Sequence, residues 1–168
     1  QVLEYTTLER DPVLKPADAF LMTSMLASVI KEGTARSLSA LGWTRSSAGK
    51  TGTTNDGRDA WFIGYTRELL AGVWVGDDDH RSIKATGAKD AGPVWVSFMQ
   101  EASAGPDRPF VQPQGLVTVK LDPASGYLAR TGCPVKQDEV FVMGSEPVER
   151  CPLHVGGLKG WFKRLFGG

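Results

Sequence analysis

The sequence carries no excess of charge of either sign: 19 lysines and arginines face 19 aspartates and glutamates across 168 residues. A protein that grips phosphates normally shows a basic excess on its binding domain, so no nucleic-acid partner is expected. Long apolar runs are missing too. The longest are strand-length, as in Leu69–Val75, whereas a membrane helix needs about 20 apolar residues. Cysteine and histidine are scarce, with two of each. Cys133 and Cys151 have neither a C-x-x-C spacing nor a matching histidine pair, so no zinc site is expected and no metal or cofactor is assigned. Composition leaves the pair open between a disulfide in an oxidising compartment and free thiols in the cytosol. The chain opens at Gln1 with no signal-like segment, which reads as a processed chain or one cut from something longer. No internal repeat is visible.

What is present supports a packed domain. Hydrophobic residues make up 41% and charged residues 23%, enough apolar surface to build a core. Residues 16–33 predict a helix. Pro16 suits a first turn, Leu21, Met22, Met25, Leu26, Val29 and Ile30 recur on one face, and Gly33 supplies a stop. Strand-like runs follow at Ala48–Thr54, Ala60–Thr66 and Leu69–Val75, joined by the turn-length segments Asn55-Asp56-Gly57-Arg58 and Arg67-Glu68. Connections this short force antiparallel neighbours, hence a meander. The central run, Trp61-Phe62-Ile63-Gly64-Tyr65, is apolar without alternation and predicts a strand covered on both faces. Gly92-Pro93 opens a second helix with Val94, Trp95, Phe98, Met99 and Ala102 as its stripe.

Helix, meander, helix is an α+β arrangement, an antiparallel sheet flanked by helices. The texture changes at Gly105. Pro106, Pro109 and Pro113 read as a linker, Leu116–Leu121 as a strand, and Asp122-Pro123-Ala124-Ser125-Gly126 as a turn. The expected division is therefore residues 1–105 and a small β appendage over 106–168.

Chemistry concentrates in Gly49-Lys50-Thr51-Gly52-Thr53-Thr54. A phosphate-cradling loop, G-x-x-x-x-G-K-[ST], would place its first glycine at Thr44 and open a helix. An aromatic strand follows instead, so the nucleotide reading fails. The K-T-G element of penicillin-recognising serine enzymes fits better. It is a strand to which substrate adds as a further strand. Its lysine brings a cation to the substrate carboxylate, and its hydroxyls direct hydrogen bonds there. Its glycine lets substrate backbone approach, and an amide just beyond can serve an oxyanion hole.

The longer run resembles the class A penicillin-binding proteins. The motif continues through Asn55-Asp56 to Arg58-Asp59-Ala60-Trp61-Phe62-Ile63-Gly64-Tyr65-Thr66, where that family shows a turn and D-A-W-F-x-G-Y-T. The likeness reaches back to Leu21-Met22-Thr23-Ser24-Met25-Leu26 and forward to Gly92-Pro93-Val94-Trp95, spanning roughly residues 14 to 104, about the last third of a transpeptidase domain. It implies a serine D,D-transpeptidase that cross-links peptidoglycan stem peptides ending in D-Ala-D-Ala and is acylated by β-lactam antibiotics. Lys50, Thr51, Gly52, Thr53 and Thr54 would bind substrate. Lys50 and Thr53 would hold the terminal carboxylate, Thr51 would support that network, and the Thr53 N–H would complete the oxyanion hole. The family also implies an upstream glycosyltransferase domain, a membrane anchor and a place on the periplasmic face of the cytoplasmic membrane. In that compartment Cys133 and Cys151 are expected to be bridged, which would contribute around 3 kcal/mol in the chain-entropy model.

Of the family's three motifs only K-T-G is found. Ser28-Val29-Ile30-Lys31 matches Ser-x-x-K as a string but falls near the end of the first predicted helix, and no Ser-x-Asn occurs. The catalytic serine is therefore expected outside these residues, and the fragment alone is expected to be inactive. Two rivals stand beside this reading: a β-lactamase or D,D-carboxypeptidase that shares K-T-G but hydrolyses, and a non-catalytic binding module. The first is disfavoured by the Trp61–Thr66 continuation. Asp77-Asp78-Asp79-His80 reads as a solvated turn, His154 as a surface residue, and the basic, aromatic segment Leu158–Phe166 as a frayed terminus or a contact with a membrane surface or partner.

Overall fold

The protein is described from a computed structural model covering residues 11–154, so Leu158–Phe166 lies outside the described residues. Helix α1 runs Pro16–Lys31, with proline in its first turn. A short 3₁₀ segment, Arg36–Leu41, ends on Gly42 in the left-handed region and leads to strand β1, Ala48–Thr53. Strands β2, Asp59–Tyr65, and β3, Leu70–Gly76, follow. The three form one antiparallel sheet in the order β1-β2-β3, as the short connections require. Between β1 and β2, Asp56 and Gly57 both take positive φ, the backbone twist a tight hairpin turn needs. Between β2 and β3 the Thr66 hydroxyl accepts from the amides of Glu68 and Leu69.

Helix α2, Gly92–Ala102, packs on this sheet. Its inward residues are Trp95, Val96 and Met99, while Val94 and Phe98 are half exposed. The predicted stripe is thus rotated: Trp95 and Met99 stay, Val96 joins them, and Val94, Phe98 and Ala102 face outward. Trp95 organises the core. Its ring meets Trp43 edge-on at a centroid distance of 5.0 Å and Phe62 at 5.1 Å, geometries that aromatic quadrupoles favour. Its indole N–H is shared between the carbonyls of Gly64 and Ala71, both at 3.2 Å, so this large side chain is buried without an orphaned donor.

Strand β2 corrects one expectation. Ala60 and Phe62 are fully buried, but Trp61 and Ile63 are 43% and 47% exposed. Burial alternates residue by residue as pleating dictates. The alternation is hidden in the sequence because the outward residues are apolar as well. Trp74 on β3 lies opposite Trp61 and extends the same open face. Helix α1 shows a milder version: Ile30 is buried and Val29 packs against the core, whereas Met22 and Met25 remain about half exposed.

The segment after Gly105 forms a separate two-stranded antiparallel sheet from β4, Leu116–Leu121, and β5, Gln137–Val142. The connection into it is stapled to the first layer. Arg45 donates to the carbonyls of Gly105 and Pro106, the Asp107 carboxylate accepts from the amide and hydroxyl of Ser46, and Phe110 packs edge-on against Tyr65. Fold class is as predicted: α+β, with antiparallel sheets and few helices.

Candidate functional site

Strand β1 is an edge strand of its sheet among the described residues. The phase of its ladder can be read from one bond. The Thr54 amide donates to the Asp59 carbonyl, making these opposite residues a bonded pair. Bonded and non-bonded pairs alternate in an antiparallel ladder. Gly52 with Trp61 and Lys50 with Ile63 are then bonded pairs in the observed register. Thr51 and Thr53 aim their N–H and C=O groups away from β2, toward the open edge.

The side chains divide between the two faces. Lys50 and Gly52 share the open face with Ile63 and Trp61, while Thr51 and Thr53 lie on the side of Phe62 and Ala60. Lys50 is exposed and curls so that its Nζ donates to the Thr51 carbonyl at 2.8 Å. The Thr51 hydroxyl lies 3.0 Å from the Thr34 hydroxyl. The Thr53 hydroxyl accepts from the Gly87 amide at 3.1 Å. Lys50 and Thr53 thus leave opposite faces and can meet only beyond the strand's outer edge. Thr54 is engaged otherwise. Its hydroxyl accepts from the Asp59 amide at 2.8 Å and lies 3.2 Å from the Asp59 carboxylate, closing the turn. An open depression at this end of β1 is lined by Thr53, Thr54, Asn55, Asp56, Arg58 and His80, among others.

Two positions here escaped the sequence reading. Thr34 follows α1 and reaches Thr51 only through the fold. Gly87 lies against the inner face of β1, where a Cβ would come within 2.3 Å of the Trp61 carbonyl and 2.9 Å of the Gly52 carbonyl. Only glycine permits that approach. Neither position carries a local sequence signal.

Ser28 sits in the last turn of α1, half-buried, and its carbonyl accepts from the amides of Glu32 and Gly33 as the helix ends. The Asp77–His80 segment is the solvated turn predicted. Asp77 accepts from the Asp79 amide and from Arg81, whose guanidinium also pairs with Asp79 at 3.0 Å.

The appendage holds a second constellation. Cys133 and Cys151 are free, buried thiols, not the bridge expected from an oxidising compartment. They are joined by two residues that the linear spacing hid. Ligand atoms of Asp122, Cys133, Cys151 and His154 all lie within 4.8 Å of one another. The Asp122 carboxylate is 1% exposed, and its Oδ2 is 2.8 Å from Cys151 Sγ and 2.7 Å from His154 Nδ1. Hydrogen bonds from the Cys151 thiol and from His154 hold its pKa down to about 2. The same Asp122 contact raises the pKa of His154, and burial raises that of Cys133. His154, expected at the surface, is partly buried because the Cys151 turn folds it onto Asp122.

The comparisons with known proteins agree with both regions. A family model described as "Penicillin-binding protein 1A, C-terminal domain" matches residues 112–156. Penicillin-binding protein 1A of Pseudomonas aeruginosa is 38% identical over 161 residues, 92% of this chain and 20% of that protein. The Aquifex aeolicus protein of the same name is 37% identical over 154 residues, 90% of the chain and 21% of that relative. The crystal structure of penicillin-binding protein 1A from Haemophilus influenzae superposes with a TM-score of 0.73 at 32% identity, covering 86% of this chain and 23% of the other. The chain therefore spans about a fifth of the length of the curated relatives it matches.

Proposed function

This chain belongs to the class A penicillin-binding proteins, and we propose that it supplies the substrate-binding edge of a serine D,D-transpeptidase that cross-links peptidoglycan. The observation that carries this reading is the open edge of β1, with the Thr53 amide directed out of the sheet beside an exposed Lys50. A stem peptide ending in D-Ala-D-Ala lies along this edge as an added strand. Its terminal carboxylate sits just beyond the edge, where Lys50 reaches it from one face and the Thr53 hydroxyl from the other. The Thr53 N–H points at the oxygen of the penultimate D-alanine carbonyl, where negative charge develops during attack.

In this reading the nucleophilic serine and its proton-transfer partners belong to the rest of the transpeptidase domain. The serine attacks the penultimate D-alanine, terminal D-alanine leaves, and the amine of a neighbouring stem peptide takes the acyl group. Penicillins present their lactam carbonyl to the same amide. Residues 1–105 complete the catalytic domain and residues 106–168 form an appendage to it. The parent protein carries an upstream glycosyltransferase domain and a membrane anchor, and it works at the periplasmic face of the membrane.

The test is Lys50→Ala in the intact protein, with penicillin acylation rate measured beside the melting temperature. Loss of a charge-assisted hydrogen bond, about 1.5–3 kcal/mol, lowers the rate roughly ten- to a hundred-fold. An unchanged rate in a folded variant refutes the assignment.

A further inference from the structure

The described residues after Gly105 have almost no hydrophobic core. Their buried side chains are Leu116, Asp122, Cys133 and Cys151, and three of these four belong to the cluster described above. A unit of this size cannot bury enough apolar surface to hold itself together. Small units of this kind are ordinarily stapled by disulfides or by a structural metal.

The four groups come from three separate places in the fold. Asp122 follows β4, Cys133 lies in the loop before β5, and Cys151 and His154 share the turn after β5. A buried carboxylate, two sulfurs and an imidazole nitrogen directed at one point form a mixed S, N, O donor set. Two thiolates with an imidazole and a carboxylate suit a borderline-soft divalent cation in tetrahedral coordination. We propose that Asp122, Cys133, Cys151 and His154 form a structural zinc site that holds the appendage together.

Two further features favour a metal over a bridge between the sulfurs. Each sulfur accepts a backbone N–H from its own turn: Arg130 N–H to Cys133 Sγ at 3.2 Å and His154 N–H to Cys151 Sγ at 3.4 Å. Such donors stabilise thiolates and orient them, as the outer shell of a metal site does. Arg130 Nε also donates to the Cys151 carbonyl at 2.8 Å, which puts a cation beside a ligand set whose charge exceeds that of the ion. A disulfide would use only two of the four groups and leave Asp122 buried with His154 as its sole ionic partner among the described residues. The spacing is also close to what an ion needs. With bonds of about 2.0–2.3 Å, ligand atoms around tetrahedral zinc sit roughly 3.3–3.8 Å apart. The contacts among Asp122, Cys151 and His154 run from 2.7 to 3.4 Å, so an ion replaces their hydrogen bonds with modest outward shifts.

The experiment uses the intact protein, purified without chelator or added metal. Elemental analysis should find one zinc per chain, and Cys133→Ser and His154→Ala should each abolish stoichiometric retention. Exchange into cobalt should give a thiolate-to-cobalt charge-transfer band with tetrahedral d–d bands, a readout that needs no variant and stands even if the variants fail to fold. A non-reduced mass lower by two hydrogens and localised to a Cys133–Cys151 peptide overturns the proposal, because the same sulfurs cannot serve both. So does undiminished zinc in Cys133→Ser, or a cobalt spectrum without the thiolate band. Penicillin acylation is not part of the readout, so failure here leaves the reading of β1 untouched.

Discussion

The sheet layer and the appendage solve the same problem with opposite materials. The first buries aromatic carbon: Trp43, Phe62 and Trp95 interlock edge to face beneath the strand that carries Lys50 and Thr53. The second buries heteroatoms, with Asp122, Cys133 and Cys151 in its interior and His154 closing over them. Apolar packing is non-directional and grows with area, so a layer that can cover a sheet with a helix needs nothing more. A two-stranded ribbon has too little area and must rely on directional bonds among a few groups. Burial in the layer is therefore spread over many apolar contacts, while in the appendage the buried groups are mostly the side chains of one cluster.

The largest expected effect tests whether the two interiors are independent. Trp95→Ala removes the ring on which both Trp43 and Phe62 pack and leaves the carbonyls of Gly64 and Ala71 without their shared donor. It should destabilise the layer by about 3–5 kcal/mol, read as a lowered unfolding midpoint, while the cobalt band of the appendage survives. A band lost together with the layer would break the comparison, because the appendage would then depend on the aromatic core.

A smaller change sharpens the link between packing and site. In Gly87→Ala the new Cβ meets the Trp61 carbonyl at 2.3 Å, backbone that cannot yield cheaply. The segment must lift away from β1 and withdraw the amide that donates to the Thr53 hydroxyl. We expect a loss of about 1–3 kcal/mol and slower acylation in the intact protein, with zinc content unchanged. Normal acylation would separate the Gly87 contact from the function of the edge.

The smallest effect belongs to the seam between the regions. Hydrogen bonds from the Ser46 hydroxyl and amide hold the Asp107 carboxyl below its ordinary pKa. A depressed folded-state pKa means that this contribution is fully present above the unfolded value of about 3.9 and is lost as pH falls through the folded value. Wild type should thus exceed Asp107→Asn in melting temperature near neutral pH, and the gap should close under acid. A gap independent of pH would show that the ionised carboxylate is not what joins the linker to β1.

How much of this was legible beforehand follows from how local each feature is. The hairpin turns at Asn55–Arg58 and Arg67-Glu68 announce themselves by composition and length. Pro16 and Pro93 mark helix starts because their missing N–H costs nothing there. The Gly49–Thr54 run stands out because its chemistry lies on consecutive residues, all but Thr54 on one strand. The same local reading failed on β2, where Trp61 and Ile63 are as apolar as Phe62 and nothing in the string distinguishes the face turned to Trp95 from the face left open. It failed again on the α2 stripe, where one turn of helix offers Val94 and Val96 as near equals and only the position of the sheet decides between them.

What the sequence determined by itself is the order of elements, the antiparallel meander and the strand that bears Lys50 through Thr53, because short turns, proline placement and side-chain periodicity act within a few residues. What the tertiary structure alone decided is which residues meet across distance. The Gly87 amide reaches Thr53, Thr34 reaches Thr51, and Asp122 and Cys133 converge with Cys151 and His154. Such meetings depend on how separate loops fold back on one another and on the direction of each side chain. Linear spacing carries neither, which is why two cysteines without a C-x-x-C or a histidine pair looked unable to hold a metal until the fold brought a carboxylate and an imidazole to their side.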